Sequence, residues 1–590
     1  MDSPPQPPMK AHKKDGKSVS SREQGMQDFD ALEDRKIGNG STLKFGGQML
    51  TRSAVELLPR PSSSHADPLN WTRGRKELAF ASLMLATAMI GSLKTMFVTV
   101  NAVVATELNV SYTGAAALTG VPLIIGAFAG IKSRVLSESI GKRGIYLLSS
   151  ITMLLAAVWN MHVTSSYAEF MISRIFQGLG WGSFEALVAG SITDLFFVHE
   201  RCARTNAYNV VNIFFTWGTP ILGGYLSQST QGFRNQIMVI NIIQAFSIVF
   251  LILGTPETTF DRTTGATPPA ENSPSGSPFK LYLNTLRLKT EHSTRPFSIT
   301  HAIQHLKALY TPSTILTALL SIPLLATSFG IAQSLSLVFT SMPTFLFPSR
   351  LGFLFALPLV FSLLTYTVSS YTVYMRSKPP HHLSTSSSAI ALALSIPSII
   401  LAVAGLLALG LYTEMALMPT IVSDGSGSVF AVLSGADINL KTTSALFGLL
   451  VSGSIALSYA SSTHLSAFYA TAPAKSVLLA GGVAFWEEVL KGVWTLGMPM
   501  WVQGATTEDM TMVMGLKVSA IALAVLGLVV GSSVGAMLWS RGVEIGGLNE
   551  RVLGVVVENE GVGLAGSRGG EEGQGQVLKR WNTGDTFMEV

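Results

Sequence analysis

Arg174, Gly178, Trp181 and Glu185 stand at i, i+4, i+7 and i+11 inside an apolar, glycine-dotted stretch, RIFQGLGWGSFEALVAG. On a helix they share one face and span about 16 Å from first to last. A charge in hydrocarbon costs several kcal/mol unless it is paired or hydrated, so this face is expected to point into a bundle or a water-filled cavity. Other apolar runs carry charge too: Lys94 in the first, and Glu487, Glu488 and Lys491 in AFWEEVLKGVW. Glu487 and Lys491 are i, i+4 and able to pair on one face, leaving Glu488 turned about 100° away. Such a pair reads equally well as a structural tie between helices. Glu185 has no opposite charge within one helical turn, which favours a functional role. Burial favours the protonated carboxylic acid and a nearby Lys or Arg favours the carboxylate; a group whose surroundings alternate takes a proton on one side and releases it on the other.

The elements that must position these residues follow from composition. The chain has 590 residues, 48% of them hydrophobic and only 13% charged, with mean hydropathy +0.41. It is too apolar for a soluble domain, and the class implied is an integral membrane protein. The net charge of +5 comes from basic residues lying between apolar runs. Topology explains them, and a nucleic-acid partner is not expected. A single cysteine, Cys202, excludes an intramolecular disulfide framework and a cysteine-rich metal site. The polar N-terminal stretch shows no signal peptide. No metal and no cofactor are expected.

Apolar runs of about 17–25 residues, enough to cross roughly 30 Å of hydrocarbon, recur twelve times. Six lie between Leu78 and Leu253 and six between Ile315 and Leu538. The fold class expected is an all-α membrane protein of twelve transmembrane helices in two six-helix bundles, residues 77–254 and 312–540. A central linker, 255–311, contains TPPAENSPSGSP, and the polar tails 1–76 and 541–590 are expected to be disordered. Lys and Arg in the short loops place both tails and the linker in the cytosol. Of three N-x-S/T triplets only Asn109 then falls outside, as the candidate glycosylation site. Gly178, Gly182 and Ala186, at spacing four, allow close helix approach in lipid. Trp181 and Trp486 are the tryptophans expected to wall a pocket; Trp159, Trp217 and Trp494 suit interface anchoring better.

Several local motifs add to this. They are SESIGKRG (137–144), SRIFQGLG opening the fourth helix, SITDLFFVHERCAR ending it, WGTPILGG (217–224), PLNW (68–71) and PET (256–258). With them the chain resembles the major facilitator superfamily, in particular its fungal drug:proton antiporter-like permeases. The resemblance is dense from Asp67 to Arg262 and thin in the second half. It implies that Glu138, Gly141, Lys142 and Arg143 match the family's loop motif. Glu138, Arg143 and Asp194 would then form a cytoplasmic gate joining the two halves in the outward-open state. Arg134 stands in place of the motif's leading Gly, Ser139 in place of a basic residue, and Thr219 in place of a Gly of the antiporter signature. The resemblance also implies that the fourth helix, with Arg174, lines the central cavity.

GKS at 16–18 lacks the upstream Gly of a P-loop, where Ala11 stands, and no HExxH or CxxC occurs, so neither an ATP-driven pump nor an enzyme is expected. The reading is a monomeric secondary transporter of a multi-pass cell membrane, vacuolar or vesicular membranes remaining open. It would export a small organic compound such as a toxin, drug or secondary metabolite in exchange for protons, by alternating access. Glu185 is the expected proton carrier, Arg174 and Trp181 share its face, and Lys94, Glu487, Glu488 and Lys491 shape the site. Two alternatives stand beside it: proton-coupled uptake of a cationic nutrient or iron chelate, and a non-transporting receptor.

Overall fold

The computed structural model describes residues 67–163, 165–229, 232–260, 298–341, 344–377, 387–417, 420–423, 429–432, 438–470, 472–504 and 512–553, with 59, 61 and 62. The expected tail before residue 59, most of the linker and the chain after 553 lie outside the described residues. Twelve long helices run through the rest. The first six are α1 (Arg73–Thr95), α2 (Tyr112–Ile140), α3 (Lys142–His162), α4 (Tyr167–Leu195), α5 (Val198–Leu226) and α6 (Phe233–Gly254). The second six are α7 (Pro312–Thr340), α8 (Ala356–Ser377), α9 (Ser387–Leu417), α10 (Leu440–Phe468), α11 (Pro473–Gly504) and α12 (Met512–Leu553). A short antiparallel ribbon, β1 (Thr420–Ser423) with β2 (Val429–Val432), follows α9 and pairs Thr420 with Val432.

Nine helices among the described residues are long and apolar enough to cross a membrane. The three long helices that fall short are α4, α5 and α11, which carry Arg174 and Glu185, several Asn, Thr and Tyr, and Glu487, Glu488 and Lys491 respectively. Their weak hydropathy reflects what they face.

Boundaries differ from the sequence reading in three places. The first span was expected to reach Val100, but α1 stops at Thr95; a turn leads into a short helix, Asn101–Glu107. The last helix runs through the expected tail boundary at 541 to Leu553, with a non-helical Arg541 (φ −122°) marking a kink. The end of the linker forms a helix, Ile299–Leu309, instead of a flexible connection.

Small residues set the closest helix crossings. A Cβ at Gly178 would collide with Pro122, one at Gly182 with Gly126, and Gly130 receives Ala186, so the spacing-four pattern on α4 lies along α2. Gly141, at φ +91°, turns the chain from α2 into α3, where a side chain would strike Glu257. One large apolar cluster draws mainly on the first six helices but includes Leu337 of α7; the other draws on the second six but includes Val98 and Trp217. Each set thus has its own core, and a few side chains cross between them.

Candidate functional site

Prolines inside α2 and α5 shape the site locally. Pro122 and Pro220 have no N–H to give to the carbonyl four residues back, so Leu118 O and Thr216 O lose their helical donors. Side chains from neighbouring helices answer them. Arg174 Nε donates to Leu118 O at 2.8 Å, and Thr95 Oγ1 donates to Thr216 O at 2.6 Å. Arg174 also donates through Nη2 to Leu93 O in the last turn of α1 at 3.2 Å, and through Nη1 to Gln177 Oε1. Its guanidinium lies against the rings of Phe97 and Trp181. Arg174 is 0% exposed and does not line the chamber described next. The expectation that it faces the central cavity is therefore corrected. Carbonyl oxygens hold this charge, and the turn of α4 that carries it is enclosed by α1 and α2.

Seven residues on, the same helix face opens onto a chamber of about 350 Å³. Its wall takes residues from α1, α2, α4 and α5 of the first set and from α7, α8, α10 and α11 of the second. Trp181, Glu185, Lys94, Glu487, Glu488 and Lys491 all line it. Lys94 Nζ lies 2.7 Å from Glu185 Oε2 and 3.0 Å from Glu488 Oε1, so one ammonium joins a carboxylate of each set of helices. Lys491 Nζ reaches Glu488 Oε1 at 2.5 Å. The pairing expected between Glu487 and Lys491 is absent among the described ion pairs. Glu488, at i, i+3, takes the lysine, while Glu487 accepts hydrogen bonds from Ser321 and Ser458 hydroxyls, both at 3.0 Å. The i+3 and i+4 neighbours of a helix lie at similar distances, so spacing left the partner undecided.

The chamber extends toward the end of the bundle that carries Gly141 and Lys475. There Arg134 lies against Gly481 of α11, where a Cβ would collide with its guanidinium. At the opposite end the two sets touch. Asn101 Nδ2 donates to Gln333 Oε1, Tyr112 Oη donates to Gln333 O at 3.4 Å, and Gly224 of α5 abuts Pro348 O.

The residues expected to gate the site are distributed differently. Lys142 pairs with Asp194 at 2.6 Å, and Arg143 donates to Ile252 O at 2.9 Å and to Thr255 O. Backbone N–H groups of Lys142 and Arg143 donate to Glu257 at 3.1 and 2.9 Å. The contacts described for Arg143 and Asp194 stay within the first six helices and the residues just after α6. Glu138 reaches further, to His301 and His305 of the linker helix. Thr219, where a Gly is usual in the antiporter signature, donates to Ser92 Oγ at 2.9 Å and ties α5 to α1. Asn109 is exposed and left-handed (φ 51°), a conformation Asn tolerates.

Trp486 lies off the chamber, donating to Leu309 O at 3.0 Å, whereas Trp217 lines it. Sequence reasoning also passed over Tyr208, Asn209, Asn212, Tyr366 and Tyr459 of the wall. Asn206, Asn209 and Asn212, at i, i+3 and i+6 of α5, were the available signal.

Comparison with known proteins gives a consistent picture. The sequence profile of the Major Facilitator Superfamily matches residues 83–486. An uncharacterized MFS-type transporter of Schizosaccharomyces pombe is 27% identical over 208 residues, 35% of this chain and 36% of that protein. Protein HOL1 of Saccharomyces cerevisiae is 27% identical over 218 residues, 37% of each chain. The MFS antiporter QDR3 of Candida albicans is 33% identical over 122 residues, 21% of this chain and 17% of that one. The matched stretches thus span 36%, 37% and 17% of the length of these curated relatives. Among solved structures, the human organic anion transporter MFSD10 (TETRAN) superposes with a TM-score of 0.50 at 12% identity, covering 78% of this chain and 99% of that one, a likeness of fold.

Proposed function

This chain belongs to the Major Facilitator Superfamily, and from that premise we propose that it is a proton-coupled secondary transporter. It exports a small organic compound by alternating access between its two sets of helices. The observation that carries this reading is Lys94, whose ammonium joins Glu185 of α4 to Glu488 of α11 across a chamber walled by both sets. A rocking motion that separates the walls must break one of these pairs. The carboxylate left behind then loses its cation and takes a proton from the side to which it is exposed. Reformation of the pair expels that proton on the other side. Glu185 is the proposed carrier, because Glu488 keeps Lys491 as a second partner. The wall offers Trp181, Trp217, Phe329 and Tyr366 to a flat organic solute, with Asn209 and Asn212 as polar contacts. Loop charges orient the chain with the Gly141 end in the cytosol, and Asn109 on the other side is the proposed glycosylation site.

In purified protein reconstituted into vesicles, Glu185→Gln is expected to abolish solute flux driven by a pH gradient while the protein inserts and folds normally. Undiminished pH-driven flux in that variant removes Glu185 from the mechanism. A second reading, uptake of a cationic nutrient, is favoured by one feature: Glu487 has no ion-pair partner among the described residues and accepts from two hydroxyls. The direction of solute movement under an imposed pH gradient separates the two.

A further inference from the structure

The segment between the two sets of helices ends in Ile299–Leu309, an eleven-residue helix with two unlike faces. One face is held by protein. His301 Nδ1 and His305 Nε2 lie 3.0 and 3.5 Å from the Glu138 carboxylate of α2, and Ala308 is buried. Leu309 O accepts the Trp486 indole N–H at 3.0 Å. The opposite face carries Ile299, Ile303, Leu306 and Tyr310, exposed by 68, 44, 51 and 64%. At 3.6 residues per turn these four fall within an arc of about 60°. Four large apolar side chains in one stripe are a liability in water.

We infer that this helix is a lipid-interface element: it lies in the headgroup region of the bilayer on the Ile299–Ile303–Leu306–Tyr310 stripe while His301 and His305 tie its other face to Glu138. Three observations select lipid as the occupant. The stripe is continuous along the chain with a membrane-facing surface, because the next exposed large apolar residues are Ile315 and Leu319 of the spanning helix α7. Tyr310 meets Trp486 edge-on, with ring centroids 6.5 Å apart, so the helix leaves the interface at a pair of the aromatic residues that favour that depth. Exposed Lys307 flanks the stripe, where its ammonium reaches anionic headgroups while its stem lies along the apolar face. The helix thereby couples three bodies: α7 by chain continuity, α2 through Glu138, and the membrane surface. The inference rests on the membrane placement of α7 and is independent of the substrate, the coupling ion and the direction of transport.

The test uses the full chain with its one cysteine, the exposed Cys202, replaced by Ser. Ile299→Cys, Ile303→Cys and Lys307→Cys are labelled separately with an environment-sensitive fluorophore and reconstituted into phosphatidylcholine–phosphatidylglycerol vesicles. Quenching by lipids spin-labelled near the headgroup is compared with quenching by aqueous iodide. Probes at 299 and 303 should be quenched several-fold more by the lipid than by iodide, and the probe at 307, at the water edge of the stripe, by both. Equal iodide access at all three positions overturns the proposal, because the stripe is then in water. Protection of 299 and 303 from both quenchers overturns it as well, because protein then covers the stripe.

Discussion

Two buried cations of the first six helices, Arg174 and Lys94, approach the same stretch of the molecule and are held in opposite ways. Arg174 donates to two backbone carbonyls and a side-chain amide oxygen, fully buried against the rings of Phe97 and Trp181. Its acceptors exist because Pro122 interrupts α2 and because α1 ends at Thr95; none of them can change charge. Lys94 is held by two carboxylates, one from each set of helices, at the wall of the chamber. Those partners belong one to each set of helices, which the proposed alternating access would separate, and each carboxylate is able to take a proton. The first arrangement ties helices together; the second is the one the proposed mechanism switches. Both are buried cations of the first six helices, so the chemistry of the acceptors distinguishes them.

The strongest way to break this contrast is Lys94→Met. Two buried carboxylates then share a site with Lys491 as their remaining cation, and an uncompensated buried charge costs about 3–5 kcal/mol. Transport in vesicles is expected to fall on the order of 100-fold or more, with the thermal midpoint close to that of the parent, since protonation of Glu185 relieves the excess charge. Retained pH-driven transport in Lys94→Met would place Lys94 with Arg174 among the structural residues.

Arg174→Leu should give the converse pattern. Three acceptors lose their donor, each at a cost of about 1–3 kcal/mol, so the thermal midpoint should drop by roughly 5–10 °C and the folded yield with it. Transport per folded molecule should change little. Arg174→Lys is not expected to rescue stability, because a point-like ammonium cannot reach acceptors on α1, α2 and α4 together. Fluorescence-detected thermal unfolding beside a flux assay normalised to folded protein reads both quantities.

This contrast also marks how far the sequence could be read. The apolar runs were legible because membrane thickness and hydropathy impose them locally, and twelve long helices answer them among the described residues. That Lys94, Glu185, Glu487, Glu488 and Lys491 turn into the bundle was legible too, since charge in hydrocarbon needs a partner, and all five line the chamber. Which partner was not. Arg174 and Glu185 share a helix face by spacing, yet α2 closes over one and leaves the other open, through the Gly126–Gly182 crossing that depends on two chains of side chains meeting. Lys94 and Glu488 are 394 positions apart, and no local pattern joins them. The linker helix escaped notice because its polar neighbours masked an eleven-residue amphipathic segment too short to span.

The smallest effect sharpens the contrast within the chamber itself. Glu487 and Glu488 are adjacent on α11, but Glu488 takes two lysines and Glu487 two serine hydroxyls. Glutamine at 487 keeps an oxygen that accepts from Ser321 and Ser458, so the wall should hold its shape and the thermal midpoint should not move. If Glu487 serves only to tie α11 to α7 and α10, flux of a neutral solute and of a cationic one should both stay within about threefold of the parent, as expected for a retained neutral hydrogen bond. If the carboxylate itself receives a cationic solute, Glu487→Gln should raise the KM for that solute alone and leave the neutral one untouched. A parallel loss for both solutes would instead put Glu487 beside Glu185 in the coupling step and extend the switchable group beyond the Lys94 pairs.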